Sequence, residues 1–192
     1  MSDYNIYKYK NKFSRSSKLR RLVWEFVWLL LFRTTPRWCL NKWRLFLLRL
    51  FGAKIGKGCR VLPTCQIWAP WNLEMGESSV LGDSVDCYSM DKIIIGSNVS
   101  VSQRSFLCTG SHDTSLLDLP LVTKPIFIND FVWICAESFV GPGVNISEGV
   151  IVAAKSVVVK NIDSYSVVAG NPAVKIKNRA LDTKNYEGKR DE

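Results

Sequence analysis

Residues Ile128–Val158 read in sixes as INDFVW ICAESF VGPGVN ISEGVI VAAKSV V. An aliphatic residue opens every unit: Ile128, Ile134, Val140, Ile146, Val152 and Val158. Four positions later comes a small or β-branched residue: Val132, Ser138, Val144, Val150 and Ser156. Neither a helical period of about 3.6 nor the two-residue alternation of a strand keeps that beat for so long. A hexapeptide period marks a parallel β-helix. In the left-handed form three sixes close one triangular coil, which stacks Ile128 with Ile146, Ile134 with Val152 and Val140 with Val158. The openers must face the axis, because a single coil cannot bury its apolar edge alone. The predicted fold is therefore all-β, a left-handed parallel β-helix.

Upstream the beat starts at Ile55 and continues through Val61, Ile67 and Leu73, with Gly56, Cys59 and Cys65 in small slots. It slips before Leu81 and Cys87, and again before Ile95, Val101 and Leu107; such slips predict widened corners. Residues 109–125, TGSHDTSLLDLPLVTKP, carry no repeat and predict one extruded loop. Loops projecting from a rigid scaffold are where chemistry tends to sit.

Ahead of the repeats, residues 1–18 read as a polar, basic arm. Leu22–Phe32 is apolar except for Glu25 and ends at Thr34-Thr35-Pro36. It is well short of the roughly twenty residues of a spanning helix. Trp38–Phe51 interleaves Lys42, Arg44 and Arg49 with Trp43, Leu45, Phe46, Leu47, Leu48 and Leu50. Residues 19–51 thus form an amphipathic helical segment, either capping the open end of the β-helix or lying in a membrane interface. The β-helix is assigned to 52–170, and 171–192 to a turn and basic tail.

The net charge of +9 is uneven. Residues 1–60 hold fifteen Lys or Arg against Asp3 and Glu25, whereas 61–174 hold five basic and eleven acidic residues. A basic arm on an acidic body suits anionic lipid or phosphorylated ligands, and no nucleic-acid recognition module accompanies the charge. The six cysteines form no CxxC pair and four occupy repeat positions, which suggests small buried fillers. With no secretory leader in evidence, the expectation is a reduced cytoplasmic protein, either free or peripheral at the inner face of the membrane.

The single histidine, His112, falls in the extruded loop beside Gly110, Ser111 and Asp113. Imidazole is the side chain best matched to proton transfer near neutral pH. One histidine also excludes a three-histidine zinc site, and no metal is expected. No P-loop or GxGxxG is present.

The sixes, Thr109–Asp113, the Val132-Trp133-Ile134 step and Val168–Ala173 resemble the hexapeptide-repeat acyltransferases. Ile67–Gly76 (IWAPWNLEMG) and Leu81–Tyr88 (LGDSVDCY) extend the resemblance to the colanic acid biosynthesis acetyltransferase subgroup, over roughly residues 20–178. The resemblance implies a homotrimer that moves acetyl from acetyl-CoA to a hydroxyl of a sugar or lipid-linked glycan. It also implies direct transfer, in a cleft between neighbouring subunits. His112 would be the general base, with Asp113, Asp86 or Glu137 orienting it. Asp86 and Tyr88 would contact the acceptor, and Trp133 would line the cleft beside the acetyl group or the pantetheine. At the cofactor end, relatives carry glycines where this chain has Ala153 and Lys155, flanking Ala154. Lys160, Lys175 and Arg179 are candidates for the CoA phosphates, with Asn171 in the adjoining turn. The alternatives are a small soluble acceptor (a free sugar, an amino sugar or an antibiotic) and a β-helix scaffold without turnover.

Overall fold

The computed structural model describes residues 14–181; most of the N-terminal arm and residues 182–192 of the basic tail lie outside them. The chain winds as a left-handed parallel β-helix whose coils each contribute one short strand to each of three faces. The first coil comprises β1 (Lys54–Ile55), β2 (Arg60–Val61) and β3 (Gln66–Ile67). The second comprises β4 (Leu73–Met75), β5 (Val80–Leu81) and β6 (Asp86–Tyr88), and the third β7 (Ile93–Ile95), β8 (Ser100–Val101) and β9 (Phe106–Cys108). A hairpin of β10 (Gly110–His112) and β11 (Leu121–Thr123) then leaves the body. The fourth coil comprises β12 (Ile126–Ile128), β13 (Trp133–Ile134) and β14 (Phe139–Val140), and the fifth β15 (Asn145–Ile146), β16 (Ile151–Val152) and β17 (Val157–Val158). β18 (Ser166–Gly170) begins a sixth coil, and β19 (Ala173–Asn178) folds back antiparallel on it after a cis Asn171–Pro172 bond.

The openers form columns. Val61, Leu81, Val101, Ile134, Val152 and Val168 stack along the second face, all buried. The eighteen-residue steps expected from Ile128 onward are those observed: Ile128 pairs with Ile146, Ile134 with Val152 and Val140 with Val158. Truncating one such side chain to alanine costs about 2–5 kcal/mol. The earlier coils differ from the expected phase. Ile55 pairs with Met75 and Met75 with Ile95, so Met75 is the opener, and Leu73 sits two residues before it, in register with Ile93. The added length lies at one corner, where Pro70–Asn72 makes a 3-10 turn. Three positions after most openers the chain enters the left-handed region, at Gly58, Ser78, Ser84, Asn98, Arg104, Phe131, Glu137, Gly143, Gly149 and Lys155. Buried Ser79, Ser105 and Ser138 each donate their hydroxyl to a carbonyl of the next coil, which satisfies those three corners, whereas the buried hydroxyls of Ser156 and Ser166 meet no partner.

The N-terminal segment covers the first coil. α1 (Arg15–Val27) starts four residues inside the expected arm, because the Ser14 hydroxyl caps the Ser17 amide. It runs into one π-helical turn (Trp28–Phe32), and α2 (Asn41–Leu50) follows. Trp24 Nε1 donates to the Ile67 carbonyl (2.6 Å) and Trp28 Nε1 to that of Cys65 (2.8 Å). Four helical residues span about 6 Å and two strand residues about 6.6 Å, so the tryptophans match alternate carbonyls of β3 and the residue that leads into it. Arg44 is fully buried and donates to the Val61, Pro36 and Cys39 carbonyls and the Thr35 hydroxyl. Asn41 reaches Cys59 O and Arg49 reaches Ile55 O. The outer edges of β1, β2 and β3, which no further coil pairs, are thereby met by side-chain donors.

Candidate active site

The loop expected at 109–125 is an ordered hairpin, with Gly110 opposite Thr123 and His112 opposite Leu121. Its root is fixed by Thr109, which is buried. The Thr109 hydroxyl donates to the Tyr88 carbonyl (2.7 Å) and accepts from the Asp91 amide (3.0 Å). His112 is exposed at the end of β10, and its Nδ1 lies 2.5 Å from the Leu119 carbonyl. A carbonyl only accepts, so Nδ1 carries the proton and the lone pair of the neutral ring is on Nε2.

Sequence reading left three carboxylates open as the orienting group. At Nδ1 that position is filled by a main-chain carbonyl. Asp113 instead accepts from the Ser115 amide (2.9 Å) and hydroxyl (2.6 Å), bonds that hold its carboxyl below the usual range. Glu137 is held by Arg104 and Lys155.

Asp86 and Tyr88, on β6, line a cleft of 280 Å³ with Gln66, Ile67 and Trp68 of the third face, and Trp24, Glu25 and Trp28 form its helical wall. Burial pushes the Asp86 carboxyl up. Tyr88 packs edge to face between Trp68 (5.9 Å) and Phe106 (6.1 Å). A Cβ added at Gly110 would lie 3.2 Å from the Tyr88 ring and 2.8 Å from Met90 Sδ, so the histidine-bearing strand passes against the cleft. Sequence reading missed the helical wall. Its signal was the four-residue spacing of Trp24 and Trp28 around Glu25, which puts both rings on one side of a helix.

The other candidates lie elsewhere on the prism. Trp133 is on the second face, half exposed, with Nε1 donating to Ser102 Oγ (2.9 Å). The second face lies opposite the corner from which the hairpin leaves, since that corner joins the third face to the first. Ala153, Ala154 and Lys155 turn the corner after β16. The amide of Ala153 donates to Val168 O (2.9 Å), and Lys155 occupies the left-handed turn position at φ 60°. Lys155 Nζ approaches Glu137 at 3.6 Å. Arg179 donates through Nη1 to the Phe131 and Gly149 carbonyls, which commits that nitrogen to the β-helix itself. Lys160 and Lys175 are exposed, and Asn171 sits in the β18–β19 turn. One chain therefore carries these residues on separate faces.

Among the described residues no cluster of three or more His, Cys, Asp or Glu could hold a metal ion. No family model matches the sequence. The chain is 38% identical to the WcaF protein of Escherichia coli strain K12, which is named for an acetyltransferase role in colanic acid biosynthesis; the match covers 93% of this chain and 98% of that protein. Among solved structures, a maltose O-acetyltransferase from Clostridium difficile 630 superposes with a TM-score of 0.79 at 26% identity, over 88% of this chain and 90% of that one. A hexapeptide-repeat acetyltransferase from Vibrio cholerae gives 0.79 at 25% identity, over 88% and 95%.

Proposed function

The chain belongs to the hexapeptide-repeat acyltransferases, alongside the colanic acid biosynthesis acetyltransferases, and from that premise we propose that it transfers acetyl from acetyl-CoA to a hydroxyl of a sugar in a surface-polysaccharide precursor. The observation that carries the reading is the hold on His112. With Nδ1 donating to Leu119 O, the basic nitrogen is Nε2, the tautomer a general base needs. As the acceptor oxygen bonds to the thioester carbonyl carbon, its proton passes to Nε2. The carbon–sulfur bond then breaks, and the same nitrogen returns the proton to the departing thiolate. A thiolate is an adequate leaving group, so no covalent acyl-enzyme is required. A backbone N–H near the hairpin or on a neighbouring subunit would stabilise the oxyanion.

Asp86 and Tyr88 supply hydrogen-bonding groups for acceptor hydroxyls, and the surrounding tryptophans suit the apolar faces of a sugar ring. The separation of Trp133 and the Ala153–Lys155 corner from the hairpin supports a homotrimer, in which a neighbour's second face closes the cleft. Lys160 and Lys175, exposed on the last coils, fit the CoA phosphates by charge. Lys155 and Arg179 are better explained by the bonds they already make. A second reading, a small soluble acceptor, draws on the name of the Clostridium neighbour.

The test is release of CoA thiol from acetyl-CoA with soluble sugars and with a lipid-linked glycan. Acceptor-dependent release that falls about 10²–10⁴-fold in His112→Ala is expected. No acetyl-CoA binding and no release with either acceptor would overturn the proposal and leave the scaffold reading.

A further inference from the structure

α1 and α2 bury one side against the first coil and leave the other bare. Along α1 and its π-helical extension, Leu19, Leu22, Val23, Phe26, Leu29 and Leu30 are all exposed, at spacings that put most of them on one stripe. On α2, Trp43, Phe46 and Leu50 are exposed with the same spacing, and Trp38, between the helices, is 84% exposed. The two stripes join: Trp43 Nε1 donates to the Leu31 carbonyl (2.9 Å), and its ring stacks on Phe46. Monomeric soluble proteins rarely leave an apolar surface of this extent uncovered.

Charge identifies the occupant. Residues 14–51 hold nine Lys or Arg and a single carboxylate, Glu25. Arg15 and Lys18 lie one turn from Leu19 and Leu22, Arg33 one turn from Leu29 and Leu30, and Lys42 one turn from Phe46, all of them exposed. A second copy docking the same face would set like charge against like. A bilayer with anionic headgroups meets the cations and the apolar stripe together, and exposed tryptophan favours that interface. No helix among the described residues is long and apolar enough to cross a membrane, so the contact is with its surface.

We propose that the outward face of α1 and α2 docks on an anionic lipid bilayer. Trp24, Glu25 and Trp28 of the same helical segment line the cleft of Asp86 and Tyr88, so docking brings that cleft beside the headgroups. The acceptor is then a glycan anchored in lipid, a step that rests on the acetyl transfer proposed above; the docking does not.

The test is co-sedimentation of the full chain with vesicles of phosphatidylglycerol and phosphatidylcholine in equal parts, and with vesicles of phosphatidylcholine alone. The wild type should pellet with the anionic vesicles only. The pairs Leu22→Ser with Phe26→Ser, and Lys18→Glu with Lys42→Glu, should each lower the partition constant at least about tenfold. Their elution size and their thiol release with a soluble sugar should not change. Pelleting independent of anionic lipid, or unaffected by both pairs, would overturn the proposal. So would a change in elution size without a change in pelleting, which would make the face a contact between copies. Loss of transfer in every protein with lipid binding intact would remove the acceptor reading and leave the docking standing.

Discussion

The imidazole of His112 donates to the carbonyl of Leu119 across the hairpin, 2.5 Å away. A main-chain acceptor selects the same tautomer that a carboxylate would, through a weaker bond and with no negative charge of its own.

His112→Ala should therefore act on turnover. We expect kcat to fall about 10²–10⁴-fold while the calorimetric affinity for acetyl-CoA stays within about threefold. Asp113→Asn, which keeps acceptors for the Ser115 bonds, should change kcat less than about tenfold. A loss equal to that of His112→Ala would show that Asp113 acts on the imidazole after all.

Asp86 gives the pH dependence. Burial raises its pKa in the folded chain, so ionisation opposes folding. Its contribution is most favourable below the unfolded value near 3.8 and is lost as pH rises through the folded pKa. Asp86→Asn should raise the melting temperature at pH 7 and lose that advantage in acid. The same change should lower kcat/KM for the acceptor about 10-fold or more, the cost of one unmade hydrogen bond to a charged group.

Gly56, Gly76 and Gly96 recur at one corner of the first three coils, each meeting the backbone of the next. A Cβ on Gly76 would lie 2.6 Å from the Gly96 carbonyl carbon and from the Ser97 amide. Main chain cannot step aside as a side chain can. Gly76→Ala should cost about 2–4 kcal/mol, read from denaturant unfolding, with the acetyl-CoA affinity of the folded fraction unchanged.

Arg44 is buried among neutral acceptors, and burial lowers its pKa. Arg44→Met keeps much of the volume but leaves the carbonyls of Val61, Pro36 and Cys39 without their donor. A loss of about 2–4 kcal/mol is expected in thermal or chemical unfolding.

The β-helix was legible because burial acts on every sixth side chain, and Ile128–Val158 has no insertions to disturb that selection. The earlier phase was not. Leu73 and Met75 are both apolar and both buried, so hydrophobicity could not tell which one opens the coil; the pairing with Ile55 and Ile95 does. At the candidate site, His112 and its place in the excursion could be read from residue type. The Leu119 carbonyl could not, because every residue has one and only the fold of the hairpin brings this one round. The bonds of Arg179 to Phe131 and Gly149 are hidden for the same reason, since side-chain chemistry suggests a phosphate where main chain is the partner.

A stack of identical coils has matching ends, and nothing in the repeat itself limits its growth. The indole, guanidinium and amide groups that meet β1, β2 and β3 occupy the strand edges on which another molecule's last coil could pair. A chain begun at residue 52 would keep the hairpin and its histidine but expose those edges, and copies could add head to tail without closure. The helices thus close one end of the solenoid, as β19 folded back on β18 closes the second face at the other, and both ends are set against growth of a repeating chain into a fibre.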